Sequence, residues 1–73
     1  MDQVKIGQFI AQCRKEKNLT QAQLAEQLNL TDRAVSKWET GKGMPDASIM
    51  PDLCGLLGIN VNELFCGGES AHG

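Results

Sequence analysis

Two short apolar patterns, out of phase with each other, meet at Asn29 and constrain this 73-residue chain more than any other feature. The apolar positions on the two sides of Asn29 are Leu24, Ala25, Leu28, Leu30, Val35 and Trp38. In one continuous helix, at ~100° per residue, these side chains would scatter around the surface. Two short helices that cross at a sharp angle would instead gather them into one core. Residues 20–41 are therefore predicted to form two helices joined by a tight turn.

The starts of three helices share one pattern, in which a capping residue stands between two apolar residues. Thr20, Thr31 and Asn60 can each accept hydrogen bonds from the free backbone amides of a first helical turn. Gln23 and Glu63, three residues after Thr20 and Asn60, can complete capping boxes. The apolar pairs that can close hydrophobic staples are Leu19 with Leu24, Leu30 with Val35, and Ile59 with Leu64.

The ends of the helices carry residues that tolerate a left-handed backbone. Asn29 suits the tight turn because Asn adopts that conformation more readily than any residue except Gly. Gly41 is predicted to end the third helix in the same way, and Gly58 is predicted to stop the fourth. The fourth helix is expected to begin with Ser48 as its cap, which places Pro51 in the first turn, where its missing amide hydrogen is harmless.

The first and last helices complete an all-α domain of five helices. An apolar stripe predicts the first helix over about 4–17, and the last covers about 61–65. The sequence contains no strand pattern and no internal repeat beyond the capping pattern. We expect residues 1–66 to form one domain and residues 67–73 to form a flexible tail.

Composition and cysteine usage exclude several classes of protein. With 41% hydrophobic residues, the chain is globular rather than disordered. It has no apolar run near the ~20 residues of a membrane helix and no signal-peptide pattern, so we expect a cytoplasmic protein with no membrane segment. Cys13 and Cys54 lie at apolar helix positions and are predicted to be buried thiols. Cys66 and His72 lack a second pair of ligands, so neither a metal nor another cofactor is expected.

Charge is distributed unevenly along the chain. All seven Lys and Arg residues lie within 1–42 beside five acidic residues, which leaves a net charge of +2. Residues 43–73 contain four acidic residues and no Lys or Arg, a net charge of −4. This asymmetry predicts a basic face at one end and an acidic half that faces a partner. Charges that only keep the surface soluble are the alternative.

The predicted third helix, Asp32 to Thr40, has a polar side that carries no Leu, Ile or Phe. Arg33 and Lys37 are four residues apart and repel each other slightly, a cost that an anion opposite them would remove. Arg33 can bond a guanine edge bidentately, and Lys37 can reach a guanine edge or a phosphate. Ser36 suits any base, and Asp32 can accept from a cytosine amino group. The alternative is an ordinary solvated helix face. Trp38, on the other side, is predicted to anchor the core.

With these positions assigned, the chain resembles the Cro/phage-repressor type of helix-turn-helix, the XRE group of bacterial regulators, from about Ile6 to Phe65. The matching segments are Arg14-Lys15-Glu16, Leu19-Thr20-Gln21, Leu24-Ala25, Val35-Ser36-Lys37-Trp38-Glu39, Gly41-Lys42-Gly43, Pro45-Asp46 and Leu57-Gly58-Ile59. The resemblance implies a compact, lambda-repressor-like fold of five helices, with the helix-turn-helix formed by the second and third.

The resemblance also implies roles for individual residues. The base-reading positions are Gln21, Asp32, Arg33, Ser36 and Lys37, of which Gln21 touches either a base edge or the backbone. The phosphate-holding positions are Thr20, Thr31, Thr40 and Lys42. Arg14 and Glu39 match a structural ion pair between the first helix and the end of the third, with Arg14 placed between a structural and a phosphate-contacting role.

The leading functional hypothesis is a sequence-specific bacterial transcriptional regulator. It would bind double-stranded DNA as a homodimer and read a near-palindromic operator with two recognition helices ~34 Å apart. The expected dimer surface on the last two helices includes Leu57, Ile59, Val61 and Phe65. The alternative is an antitoxin-like or adaptor module that binds a protein through its acidic half and DNA only secondarily. An enzyme is not expected, because no nucleophile, carboxylate pair or phosphate-binding loop has supporting residues.

Overall fold

The computed structural model describes residues 2–67, and these form five α-helices without a strand. The helices are α1 (Gln3–Glu16), α2 (Gln21–Gln27), α3 (Asp32–Glu39), α4 (Met50–Leu57) and α5 (Val61–Phe65). The predicted all-α fold of five helices is confirmed. None of the helices within residues 2–67 has the length and apolar character needed to cross a membrane. Of the predicted flexible tail, residues 68–73 lie outside the described part of the chain.

Capping boxes begin α2 and α5, as predicted. Thr20 Oγ1 accepts from the amide of Gln23 at 3.0 Å, and Gln23 Oε1 accepts from the amide of Thr20 at 2.8 Å. Asn60 and Glu63 exchange the same two bonds at 2.8 and 3.0 Å. These reciprocal bonds satisfy two amides that would otherwise lack a partner at each helix start.

The predicted cap at Ser48 is wrong, and the predicted cap at Thr31 is right in position but not in its bond. Thr31 does precede α3, but its side chain makes no capping bond. Its carbonyl instead accepts from the amide of Ala34 at 3.1 Å. Ser48 is not the cap of α4, because the carboxylate of Asp46 accepts from both the amide and the hydroxyl of Ser48 and so holds a turn before the helix. These two bonds also lower the pKa of Asp46. The cap of α4 is Ile49, although Pro51 lies in the first turn as expected.

Each of the five helices is followed by a residue with a left-handed backbone. Asn29 and Gly41 have the predicted positive φ values, of 59° and 77°, and Asn18, Gly58 and Gly67 also have positive values, of 59°, 73° and 60°. In the turns at Asn18, Asn29, Gly41 and Gly58, the amides of this residue and of the next one donate to carbonyls of the preceding helical turn. This Schellman arrangement satisfies the free carbonyls and reverses the chain within two residues.

The core lies where α3 packs against α1 and α2, with α4 and α5 packed on α1. The buried apolar side chains are Ile6, Ile10, Cys13, Leu24, Ala25, Val35, Trp38, Met50, Leu53, Cys54, Leu57 and Leu64. Burial of Trp38 confirms its predicted role as a core anchor. Leu57 is only 3% exposed, so in this conformation it offers no surface to a partner. Of the expected dimer surface, Ile59 is half-buried, whereas Val61 and Phe65 are exposed.

Gly7 is where α1 crosses α3 most closely, a contact that was not predicted. A Cβ atom at this position would lie 1.9 Å from the carbonyl oxygen of Trp38 and 3.1 Å from the Cα of Glu39. Both contacts are with backbone, which cannot rotate away as a flexible side chain could. The absence of a side chain at Gly7 therefore determines how near α1 approaches the end of α3.

We predict that Gly7→Ala destabilises the domain by about 1–3 kcal/mol, because the added methyl group overpacks the helix crossing. For a domain of this size, the melting temperature should fall by roughly 5–20 °C. Gly55→Ala is the matched control, since a Cβ there meets no atom within 4 Å and Ala favours the helix by about 0.5–1 kcal/mol. Thermal unfolding of both variants is the measurement. Equal stability of the two variants would contradict the proposed close crossing.

The three cysteines should differ sharply in reactivity. Cys13 and Cys54 are buried, as predicted, and burial raises the pKa of both thiols, with a smaller contribution from the carboxylate of Glu63. Cys66 is exposed. Because the thiolate is the reactive form, we expect a maleimide at pH 7.5 to label Cys66 first and the buried pair roughly 100-fold more slowly. Mass spectrometry of the native and the denatured protein measures this. Equally fast labelling of all three would show that the core is open.

Candidate nucleic-acid interface

The polar side of α3 faces away from the core. Val35 and Trp38 are 0% and 5% exposed and bind the helix to the rest of the domain. Asp32, Arg33 and Lys37 are exposed on the remaining surface, and Ser36, which the sequence places on the same side, is half-buried. The burial of one side of α3 thus leaves four of the predicted base-reading residues on the other.

Five residues on α3 and just after it line one shallow groove of about 290 Å³. They are Arg33, Ser36, Lys37, Thr40 and Lys42. Three of the five carry a positive charge, and no carboxylate of residues 2–67 lines the groove. A concave surface lined by positive charges attracts a polyanion and raises its local concentration. Asp32 does not line this groove, although it lies on the exposed surface of the same helix.

The loop after α3 positions Lys42. The left-handed Gly41 turns the chain, and the amide of Lys42 donates to the carbonyl of Lys37 at 2.9 Å. Gln3, at the start of α1, donates through Nε2 to the carbonyl of Gly41 at 3.1 Å. This last bond joins residues 38 positions apart, so no local pattern in the sequence could have indicated it.

The three threonines predicted to hold phosphates differ in what their hydroxyl groups can do. Thr20 Oγ1 accepts a bond from the amide of Gln23, so its own hydrogen is left to donate to an anion. Thr31 is exposed and its hydroxyl takes no part in capping. Thr40 already donates to the carbonyl of Ser36 at 2.9 Å. The Thr40 hydroxyl can therefore donate to a phosphate only if its bond to the carbonyl of Ser36 breaks.

An ion pair lies beneath this surface, where α1 meets the last residue of α3. Arg14 donates to Glu39 through Nε at 2.6 Å and through Nη2 at 3.2 Å, and the two side chains are only 10% and 7% exposed. The third nitrogen, Nη1, donates to the carbonyl of Leu19 at 2.7 Å. All three nitrogens of Arg14 are thus bonded within the fold, and its side chain is buried.

Gln21 lies beside this ion pair and not in the groove of α3. It is the first residue of α2, it is half-buried, and its Nε2 donates to Glu39 Oε1 at 2.9 Å. The sequence placed Gln21 at the start of the second helix and Glu39 at the end of the third. It contained no signal that their side chains bond to each other.

Within residues 2–67, no three His, Cys, Asp or Glu side chains are close enough together to hold a metal ion. The two ligands weighed from the sequence, Cys66 and His72, cannot be compared because His72 lies outside the described residues. The three cations that line the groove beside α3 suit the binding of an anionic surface.

Comparison with known proteins agrees with this geometry. The sequence pattern of the helix-turn-helix family matches residues 10–64. The chain is 39% identical over 66 residues to the HTH-type transcriptional activator BcrR of Enterococcus faecalis, covering 90% of this chain and 32% of that protein. It is 34% identical over 64 residues to the cryptic phage CTXphi transcriptional repressor RstR of Vibrio cholerae, covering 88% of this chain and 56% of that protein.

Among solved structures, the fold is similar to that of the clp gene regulator ClgR from C. glutamicum. The TM-score is 0.81 at 19% sequence identity, and the match covers 100% of this chain and 94% of that one. At this level of identity the likeness establishes the fold alone. The family pattern extends over most of the chain, including α2, the turn at Asn29 and α3. The chain belongs to the helix-turn-helix family of the Cro/phage-repressor type.

Proposed function

We propose that this chain is the DNA-binding domain of a cytoplasmic transcriptional regulator and that it reads double-stranded DNA with the polar side of α3. The observation that carries the proposal is the groove beside α3. Among residues 2–67 it is lined by three cations and no carboxylate, and the opposite side of α3 is buried. The printed names of BcrR and RstR, an activator and a repressor, support a regulatory role. The chain spans 32% and 56% of the length of these two relatives.

The chemistry of the exposed side chains suits base reading in the major groove. Arg33 presents a planar fork that matches guanine O6 and N7, and Lys37 can bond the same acceptors or a phosphate. Ser36 can donate or accept, and Asp32 accepts from a cytosine amino group. Lys42, beside the C-terminal end of α3, is suited to a backbone phosphate.

We expect two copies of the domain to bind a near-palindromic operator, with their recognition helices ~34 Å apart. Val61 and Phe65 support a dimer surface on α5, because they are four residues apart on one side of the helix and are 37% and 39% exposed. Ile59, just before α5, is half-buried and packs against the core. Leu57 belongs to the core itself.

The test of base reading is the double replacement Arg33→Ala with Lys37→Ala. Both side chains are exposed, and their removal also relieves a small repulsion along α3, so the fold should be retained. We expect the affinity for a preferred sequence, selected from random duplex DNA at stated salt, to fall by about 100-fold or more. Gel-shift titration measures the affinity, and thermal unfolding checks the fold.

Lys17→Ala provides the control for loss of positive charge. The ammonium of Lys17 lies next to Gly58 at the end of α4, away from the groove of α3. Its replacement should change the affinity by less than about 3-fold, the scale of long-range electrostatics at physiological salt. Unchanged binding by the Arg33 and Lys37 variant would defeat the proposal. A protein that selects no DNA sequence at all would favour the adaptor alternative.

The dimer surface is tested with Phe65→Glu, which places a charge on the exposed apolar side of α5. If copies associate there, the dissociation constant of the dimer should rise at least about 10-fold, because a carboxylate would be buried against apolar surface. Sedimentation equilibrium measures this constant with and without a palindromic duplex. Gln27→Glu adds the same charge at an exposed position of α2 and should have no effect. Equal association of the two variants would place the dimer contact elsewhere.

A further inference from the structure

We propose that Gln3, at the start of α1, is a positioning residue for DNA binding, because it holds the loop that carries Lys42 against the end of α3. This inference rests on the proposed function and adds to it a residue outside the groove. Lys42 is exposed and lines the groove beside α3, so its ammonium is available to a phosphate of a bound duplex. Gln3 does not line this groove and acts through Lys42.

Two contacts join the start of α1 to the residue before Lys42. Gln3 Nε2 donates to the carbonyl oxygen of Gly41 at 3.1 Å. The next residue, Val4, packs on Gly41 so closely that a Cβ atom there would lie 2.8 Å from Val4 Cγ2 and 3.2 Å from Val4 Cα. The first turn of α1 therefore supports the loop by a hydrogen bond and by packing.

The peptide unit between Gly41 and Lys42 is held at both of its polar atoms. Its oxygen accepts from Gln3, and its N–H, the amide of Lys42, donates to the carbonyl of Lys37 at 2.9 Å. Because a peptide unit is planar, one bond from α1 and one from α3 fix its orientation. Gly41, with φ of 77°, has no side chain to restrict its rotation. Loss of the Gln3 bond would therefore leave the backbone of Lys42 less ordered before DNA arrives, which weakens the contact.

Asp2 supports the same turn of α1, although phosphates repel its charge. Asp2 Oδ1 accepts from the amides of Val4 and Lys5 at 3.0 and 3.2 Å and so caps the helix. The cap keeps Gln3 and Val4 beside Gly41, because an uncapped first turn has unsatisfied amides. Charge alone predicts that removal of this carboxylate strengthens DNA binding. The positioning role predicts weaker binding when the cap is lost.

The first experiment is a double-mutant cycle with Gln3→Met and Lys42→Ala, on a duplex selected from random sequences by the unaltered chain. Methionine removes the amide donor with little change in size and none in charge. Lys42→Ala should lower the affinity about 5-fold at physiological salt, the effect of one phosphate contact. Gln3→Met should lower it about 2- to 3-fold on every sequence, within the range of one hydrogen bond, and should have no further effect beside Lys42→Ala.

Gln12→Met is the matched control for this cycle. Gln12 also lies on α1, and its Nε2 donates to Glu16 of the same helix at 3.4 Å. Its replacement removes a glutamine donor without touching the loop at Gly41. The affinity of this variant for DNA should equal that of the unaltered chain.

Asp2→Ala and Asp2→Asn separate the cap from the charge. Both remove the same carboxylate, but Asn caps a helix well and Ala does not. Asp2→Asn should bind DNA at least as tightly as the unaltered chain. Asp2→Ala should bind about 2- to 4-fold more weakly than Asp2→Asn, since the loss of a cap frees the first turn. Equal affinities of the two variants would show that the start of α1 does not support the loop.

Hydrogen exchange of the Lys42 amide tests the positioning role without DNA. This amide should exchange about 2- to 10-fold faster in Gln3→Met, the factor expected for one lost hydrogen bond, while the amides of α2 keep their rates. A domain that is merely destabilised would exchange faster at its core amides as well. An unchanged rate at Lys42 would overturn the inference.

The outcomes separate this inference from the proposed function. If the unaltered chain selects no DNA sequence, the proposed function fails, and hydrogen exchange still decides whether Gln3 holds the loop. If the chain selects a sequence but Gln3→Met or Lys42→Ala binds it equally well, the inference on Gln3 is overturned and the proposed function stands. The same holds if Gln3→Met weakens binding as much beside Lys42→Ala as it does alone.

Discussion

The buried ion pair between Arg14 and Glu39 is the interaction on which the arrangement of the domain depends. It joins α1 to the last residue of α3, and its remaining bonds reach the turn before α2 and the first residue of α2. Removing one partner of such a pair typically costs about 3–5 kcal/mol, since the other charge is left buried. That is a large part of the stability of a small domain. Replacing both partners by apolar residues would cost far less, so the pair contributes orientation more than net stability.

Orientation of α3 is what the function needs, and contacts from two helices constrain it. Gly7 brings α1 against the carbonyl of Trp38 near the end of α3, and the small Ala25 lets α2 cross nearby. At Gly7 there is no room for a side chain, and Ala25 is fully buried in the core. Because Arg33 and Lys37 extend from a helix held in this way, the backbone positions from which they reach a ligand are set before it binds. A rigid support of this kind lets a few exposed side chains discriminate between similar surfaces.

Local signals in the sequence predicted most of the fold. The capping boxes at Thr20 and Asn60, the left-handed turns at Asn29 and Gly41, and the helix end at Gly58 depend on residues within one helical turn, and all five are present. Ser48 was wrongly placed as a cap because Asp46 competes for its amide and hydroxyl. The close approach at Gly7 and the bond between Gln21 and Glu39 were not predicted, since each needs the relative placement of two helices. The base-reading roles of the residues on α3 stay predictions, and their exposure is what the structure adds.

The uneven distribution of charge has a consequence for the encounter with a polyanion. Every Lys and Arg belongs to residues 1–42, while α4 and α5 carry only acidic charged residues and pack on α1 rather than on α3. The cations that line the groove of α3 and the carboxylates of α4 and α5 therefore lie on separate segments, although the net charge is −2. As the domain diffuses toward a duplex, the phosphates attract the groove and repel the acidic residues of α4 and α5, which favours approach with α3 foremost.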